Sequence, residues 1–430
     1  MVRQTFDTVE EFWGAEDLQR AVDLASNSGP SIIGLFESRF IDYLGGTGTA
    51  LFFPSGRAAL RAALGILKSS RGKDVLVPAF CCEAVGEAIH QAGMRPLLID
   101  SGTTVGSIDG STCLEAIRGG DVCAVIIPHL FGLPLDLRPF LECARQRGVV
   151  VIEDCAHCLG GRIGNAQVGT LGDLSFFSFS YDKPISLGGG GLLVCNPDSP
   201  INQQSLNHLR EFQWSTSPAL TNEIKELEEF RKSLESRRAA ISSPLPPHRR
   251  GLLRAARKAL GNVYVRWAAR QVIPYRFREG GAPLSGSVGL VRAALGLALL
   301  GKYPSVLARR NENYALLADQ FSSQNVGSMM TASGQVTPAW LKAKLMVPES
   351  RQERIDALGE FLCSKGFRAG RFNWPRSQDQ QVGLVFKARA VGSLRNAHRL
   401  ARLSIDLPIH QNMEPSQLRQ MASYVIAWLS

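Results

Sequence analysis

An α/β fold, with a mostly parallel sheet flanked by helices on both faces, is predicted by three observations. Short runs rich in Val, Ile and Leu recur at 74–78, 96–100, 122–128 and 149–154. Helical patterns separate them at the spacing of strand–helix–strand units. Pro78, Pro128 and Asp154 close three of these runs, and in such sheets ligands bind outside the carboxyl ends of the strands. Taken in order, Ser55-Gly56-Arg57 opens the first helix, a small polar cap followed by Ala and Leu. Asp74–Pro78 is a short buried strand, and a helix around 82–92 leads to the strand Pro96–Asp100. The strand Val122–Pro128 precedes a helix at 136–147, and Val149–Asp154 follows. Gly169–Ser180 then reads as a strand, Tyr181–Gly191 as a loop and Leu192–Cys195 as another strand, which makes the sheet mixed. Residues 201–280 differ: a charged helix Glu223–Arg238, a proline-rich breaker Ser242–Pro247, and an amphipathic helix Arg249–Ile273. Helices 287–300 and 305–322 follow, then an α/β stretch that ends in a helix at 415–429. The predicted division is a large domain at 1–200, a basic helical insertion at 201–280, a connecting helix at 281–300 and a smaller C-terminal α/β domain at 301–430.

Composition narrows the class. The 430 residues are 45% hydrophobic and 20% charged, which excludes a largely disordered chain. The 42 glycines cluster at 160–191, where tight turns are expected. No window approaches 18 consecutive apolar residues, so no membrane-spanning helix is expected. The stretch Met1–Glu11 lacks the apolar core of a signal peptide. Nine cysteines, an odd number and mostly in apolar runs, read as reduced core thiols of a cytoplasmic protein. Net charge is +10, yet 201–280 alone carries 15 Lys/Arg against 7 Asp/Glu. The rest is close to neutral, which argues against a nucleic-acid partner for the main body.

Three features carry chemistry when taken together. Asp154 ends a hydrophobic strand, where an acid faces a ligand; the bland alternative is a helix cap. Lys183 stands alone in an aromatic and glycine-rich loop. Partly desolvated there, its pKa would fall and its amine would serve as a nucleophile, whereas most lysines are simply solvated. Ser55, Gly56 and Arg57 at a helix start, with Ser178 nearby, suit a phosphate, although many helix starts bind nothing. The set matches the needs of pyridoxal 5'-phosphate (PLP): a carboxylate for the protonated ring nitrogen, a lysine for the aldehyde and a helix N-terminus for the phosphate.

At this point the residues resemble a known family. Ile152-Glu-Asp-Cys-Ala-His-Cys-Leu-Gly-Gly161, Gly169-x-x-Gly-Asp173 and Phe177-Ser-Phe-Ser-Tyr-Asp-Lys183-Pro-x-x-x-Gly-Gly-Gly-Gly191 look like the signature of the DegT/StrS-type sugar aminotransferases, PLP enzymes of fold-type I. Ser55-Gly56-Arg57-x-Ala-Leu60, Val77-Pro-Ala-Phe80, His129-Leu-Phe-Gly132 and Leu407-Pro-Ile-His410 add to the match, which covers about 30–200 and 285–430. The resemblance implies that 1–200 binds PLP, that Asp154 holds the pyridine nitrogen and that Lys183 is the Schiff-base lysine. It also implies that Ser178 and the Gly56 and Arg57 amides hold the phosphate, with Ser55 beside them, and that His157 lies near the ring hydroxyl. Family members commonly stack an aromatic residue on the ring four positions after the proline of the second strand. Cys82 holds that position here, and Phe80 lies two residues earlier. Cys82 and His410 are candidates for substrate contact. Where the family has Asn-Tyr-Arg before helix 287–300, this chain has Gly280-Gly-Ala-Pro-Leu-Ser.

Other patterns weigh less. Cys155-Ala-His-Cys158 has no second Cys or His pair at ligand spacing, so no metal is expected. Gly188–Gly191 reads as the turn that lets the lysine loop approach the cofactor. Helix 249–273, with Arg250, Arg254 and Arg257, is either an exposed face of its own domain or a site for lipid headgroups or a nucleotide diphosphate. The expected activity is transfer of an amino group from an amino acid such as glutamate to a keto-sugar, nucleotide-linked, by a homodimer. Condensation, decarboxylation or dehydration on the same cofactor is the alternative. Related dehydratases replace the lysine by histidine, and Lys183 is intact. A non-enzymatic regulator would lack Lys183 or carry an added DNA-binding domain, and no helix-turn-helix pattern is evident.

Overall fold

The computed structural model describes residues 7, 12–46, 48–67, 72–119, 121–214, 220–242, 288–322, 324, 326–332, 334–371, 377–380 and 388–430. Its centre is an eight-stranded sheet in the order β1-β9-β8-β5-β4-β2-β3-β13. The strands are β1 (Thr49–Phe53), β2 (Asp74–Pro78), β3 (Arg95–Ile99), β4 (Val122–Pro128), β5 (Val150–Asp154), β8 (Leu174–Ser178), β9 (Gly191–Cys195) and β13 (Arg389–Ala390). Pairings from β13 through β8 are parallel, while β8–β9 and β9–β1 are antiparallel. Strands β2, β4 and β5 are buried along their whole length, as their unbroken apolar runs require when both faces are covered.

Two helices that the sequence reading did not delimit, α1 (Ala15–Ser28) and α2 (Ser31–Leu44), cover one face. Phe36 and Phe40 of α2 interlock with Phe52, Phe177 and Phe179, with ring centroids 4.8–6.2 Å apart. The other face carries α3 (Gly56–Gly65) and α4 (Glu83–Gln91), with α5 (Gly110–Gly119) and α6 (Arg138–Arg147) completing the crossovers. The strand expected over Gly169–Ser180 forms only at Leu174–Ser178. Residues 169–172 turn instead, because Glu153 collects their amides.

The C-terminal part holds a three-stranded antiparallel sheet, β10 (Ser328–Met329), β12 (Ala343–Met346) and β14 (Ser404–Leu407). Packed on it are α10 (Ile355–Ser364), α11 (Arg395–Leu403) and α12 (Pro415–Leu429). A hairpin of β6 (Arg162–Ile163) and β7 (Ala166–Gln167) pairs with β11 (Val336–Thr337), and β13 joins the large sheet. The 301–430 portion is therefore stitched into the large domain rather than set apart from it.

Two expectations are corrected. Helices 287–300 and 305–322, with a domain boundary at 300/301, are one continuous helix, α9 (Leu290–Ser322), which contains Pro304. An internal proline costs a helix about 3 kcal/mol, and packing on both sides of it opposes that cost. Tyr303 and Val306 are buried, and the Tyr303 hydroxyl donates to the Leu159 carbonyl at 3.0 Å. Nor is 201–280 a separate module throughout. After α7 (Gln203–Trp214), helix α8 (Leu220–Ser242) buries Leu227, Phe230 and Leu234 against the main core. Residues 203–242 balance six Lys/Arg with six Asp/Glu, so the excess charge lies in 243–280. That stretch, with helix 249–273 and Arg250, Arg254 and Arg257, lies outside the described residues, as does Gly280–Ser285.

Candidate active site

The carboxyl ends of β5, β8 and β2 and the start of α3 lie at the same end of the large sheet. Ser55 is extended, and its hydroxyl caps α3 by accepting from the Ala58 amide at 3.1 Å. The Gly56 and Arg57 amides remain at the positive end of the helix. Ser178 stands against them: a side chain on Gly56 would place its Cβ 2.8 Å from that of Ser178 and 3.1 Å from its hydroxyl. The Arg57 guanidinium is committed to Glu87 at 3.0 Å, so it is the Arg57 amide that faces an anion. Two amides and a hydroxyl are thus grouped as donors suited to an anion.

Asp154 ends β5, paired in register with Pro128 and Phe176. Its carboxylate accepts from the Ala156 amide at 3.0 Å, its one hydrogen bond among the described residues. A turn follows rather than a helix, which removes the helix-cap alternative. Burial raises its pKa, and the Ala156 amide and the charges of Lys183 and His129 offset this only in part. A buried carboxylate so placed is suited to a cationic partner such as a protonated ring nitrogen.

The neighbouring Glu153 is fully buried and saturated. It accepts from the Gly169, Leu171 and Gly172 amides at 2.8–2.9 Å and pairs with His129 Nε2 at 3.0 Å. Burial works to raise its pKa, but these donors win and hold it below the usual range. His129 Nδ1 accepts from the Leu135 amide at 3.0 Å. Glu153, His129 and Cys155 lie close enough together for a metal site, yet the ligand atoms of Glu153 and His129 are already used by the fold.

Lys183 Nζ lies 2.9 Å from His157 Nε2 and 3.4 Å from Asp182 Oδ1. Here one expectation is overturned. Burial does pull the lysine pKa down, but Asp182, aided by Cys82 and Asp154, more than restores it, so the free amine is held above its ordinary value. Asp182, which the sequence reading missed, is driven well below the carboxylate range: burial opposes this, and Lys183 and Lys342 override it. Burial, then Lys183 and Lys342, keep His157 neutral. Both His157 nitrogens face donors, the Phe131 amide 3.4 Å from Nδ1 and Lys183 Nζ 2.9 Å from Nε2, and a neutral ring accepts at only one of them. With the hydrogen on Nε2, two donors face each other across the Lys183 contact. Proton loss from Lys183, or an acceptor oxygen beside them, relieves the clash.

Phe131 adopts a left-handed backbone (φ 58°), rare for a bulky residue and costing on the order of 1–3 kcal/mol. Backbone bonds from Ala339 to Gly132 (2.8 Å) and from Leu341 to Phe131 (3.0 Å) hold it there. Lys344 Nζ lies 4.7 Å from the Phe131 ring centroid and pairs with Asp406 at 2.8 Å, fully buried. Burial lowers the pKa of the adjacent Lys342, against the pull of Asp406 and Asp182. These groups also escaped the sequence reading; lysines alternating inside the apolar run Trp340–Met346 were the available signal.

The remaining candidates fall as follows. Phe80 is 1% exposed and packs 6.4 Å from Phe131 inside the core, so its ring is enclosed. Cys82 is half-buried and within electrostatic reach of Lys183 and Asp154; burial pushes its thiol up to about 12, which keeps it protonated near neutral pH. His410 is fully buried, and its Nδ1 accepts from the Asn412 amide at 3.3 Å. Its loop instead backs the lysine loop. Arg310, missed from sequence and also buried, donates to Gln411 Oε1 at 3.1 Å and to the Pro184 carbonyl at 3.2 Å.

Comparison with known proteins bears on the fold and the family. The fold matches the Helicobacter pylori aminotransferase PseC, involved in pseudoaminic acid biosynthesis, with a TM-score of 0.71 and 18% identity over 99% of both chains. It also matches the E. coli GDP-4-keto-6-deoxy-D-mannose-3-dehydratase with bound hydrated PLP, with a TM-score of 0.72 and 16% identity over 98% of this chain and all of that one. The architecture is thus that of PLP fold-type I enzymes. GDP-perosamine synthase of Escherichia coli O157:H7 is 37% identical over 142 residues, 33% of this chain and 39% of that protein. This chain thus spans about two fifths of the length of that curated relative. The family model described as DegT/DnrJ/EryC1/StrS aminotransferase matches residues 15–217 and 288–426, and the chain belongs to that family.

Proposed function

We propose that the protein is a PLP-dependent aminotransferase that moves an amino group from an amino-acid donor such as glutamate to a nucleotide-linked keto-sugar. The supporting observation is that the start of α3 with Ser178, the buried Asp154 carboxylate and the Lys183 amine lie at the same end of the large sheet, Asp154 and Lys183 within electrostatic reach of each other. When bound, PLP supplies an aldehyde that carries the amino group and a ring that accepts electrons. The chain's own groups do the rest. The Gly56 and Arg57 amides and the Ser178 hydroxyl hold the phosphate, with the α3 dipole adding to them. Asp154 keeps a proton on the ring nitrogen. His157 would donate from Nε2 to the ring hydroxyl oxygen when its ring hydrogen sits there. Lys183 Nζ is the amine that would hold the PLP aldehyde, and as a free amine it would carry the proton of the reacting donor or acceptor. Asp182 holds that amine in place. The sugar part of the reading is supported by the family and by the nucleotide-sugar name of the relative above. Glutamate should give 2-oxoglutarate and an aminated product from one or more members of a panel of GDP-, UDP- and TDP-linked keto-sugars. Turnover of simple keto acids with none of the panel would overturn the sugar assignment.

We also place the protein in the cytoplasm as a homodimer. All nine cysteines are free thiols, and fold-type I sites are usually completed across a two-fold interface. A fully active monomer in sedimentation would overturn the dimer. The nine Lys/Arg and one Asp/Glu of 243–280 suit contact with an anionic membrane. Each basic residue there contributes about 1 kcal/mol, weakened by salt. Binding to anionic liposomes that survives unchanged in an Arg250/Arg254/Arg257 triple alanine variant would remove that role.

A further inference from the structure

The match to the family leaves 218–287 outside it, yet helix α8 of that stretch sits on the loop that carries the lysine. Glu223, 1% exposed, accepts from the Val291 amide at 3.0 Å and the Arg292 amide at 2.8 Å and so caps α9. Arg292, buried beside it, is held by Glu226 at 2.9 Å and donates from Nε to the Leu187 carbonyl at 3.3 Å. One turn further along α8, Phe230 packs against Gly188, where an added Cβ would come 2.8 Å from its ring. Gly188 also has a left-handed backbone (φ 69°), so a side chain is excluded there twice over. Phe230 stacks on Trp13 with centroids 6.3 Å apart, and Trp13 Nε1 donates to the Ser186 carbonyl at 2.7 Å.

The loop after Lys183 is thus gripped at three carbonyls: Pro184 by Arg310, Ser186 by Trp13 and Leu187 by Arg292. Two of the three donors are set by α8. We propose that α8 is a clamp that positions Lys183 for its reaction, with Glu223 and Phe230 as the positioning residues. A loop of four glycines has high entropy to lose. The clamp removes that freedom at Gly188 and keeps Lys183 Nζ beside His157 and Asp182.

The proposal rests on Lys183 as the reactive amine, and its test separates the two. Full-length Glu223→Gln, Phe230→Ala and Phe230→Leu proteins are compared with an exposed control on the same helix, Glu228→Ala. The readouts are amide hydrogen exchange at 185–190 and the rate at which cofactor-stripped protein forms a borohydride-fixable bond to PLP. Glu223→Gln and Phe230→Ala should speed loop exchange about tenfold and slow bond formation several-fold. Phe230→Leu should restore both, and the control should change neither. Exchange that rises equally in β4 and β5 would mean that α8 only stabilises the fold, and unchanged exchange at 185–190 would sink the clamp. Loss of the Lys183 assignment itself shows separately, as a bond that survives Lys183→Ala.

Discussion

Lys183→Ala protein is expected to bind PLP without forming a borohydride-fixable bond and to lose turnover by roughly 10⁴-fold or more. Loss of a positioned acid–base group alone costs about 10²–10⁴, and here the covalent attachment point goes with it. The cofactor should still be held, though dialysable, because the Gly56 and Arg57 amides, Ser178 and Asp154 are untouched. The strongest rival amine is Lys342, which is 1% exposed and in electrostatic contact with Lys183. A borohydride-fixed peptide that contains Lys342 in the variant, with turnover intact, would refute the assignment. Asp182 adds a pH signature. It holds the free Lys183 amine above its ordinary pKa against the effect of burial, so bond formation should accelerate as pH rises toward that raised value. Asp182→Asn leaves burial dominant, and the rise should then move to lower pH. An unmoved profile would mean that Asp182 does not set the amine's ionisation.

What could be read from the sequence follows the locality of the interactions. The start of α3 was legible to the residue, because an Ser N-cap, glycine and an Ala/Leu run act within one turn. Strands β2 and β4 were legible because burial on both faces leaves an unbroken apolar run. Asp154 and Lys183 were legible as a pair through their order along the chain. The continuity of α9 was hidden, since Pro304 argues locally for a break and only packing by Tyr303 and Val306 overrules it. The raised pKa of Lys183 was hidden for a related reason: desolvation follows from a glycine-rich apolar loop, but the size of the Asp182 contribution depends on a 3.4 Å contact. Lys344–Asp406 and the Arg310–Pro184 tie join residues 62 and 126 positions apart, distances at which spacing carries no signal. In the sequence Phe131 carries no signal beyond its place in His129-Leu-Phe-Gly132. Its left-handed backbone becomes apparent only once segment 339–341 is seen to pin it.

Asp154→Asn should bind the cofactor yet lose most of its kcat. Leaving a charge without its buried partner costs about 3–5 kcal/mol, and at least part of that falls on the step in which the ring must accept electrons. Roughly a hundredfold lower kcat, with the Michaelis constant for the donor little changed, is the expected pattern. The cofactor-free protein should respond in the opposite sense. Burial raises the Asp154 pKa in the folded state, so the carboxyl binds its proton more tightly folded than unfolded. Stability from this group is therefore full below the unfolded carboxylate pKa of about 4 and is lost as pH rises through the raised folded value. Asparagine carries no charge to bury, so the cofactor-free variant should melt higher than the parent near neutral pH, with the gain shrinking as the pH falls toward 4. Bound PLP should reverse the order, because its ring proton gives the aspartate the cationic partner that the protein alone supplies only in part. The site thus trades stability of the empty fold for affinity at the ring nitrogen. Equal melting of the two proteins at every pH, with and without cofactor, would reduce Asp154 to a turn residue held by the Ala156 amide.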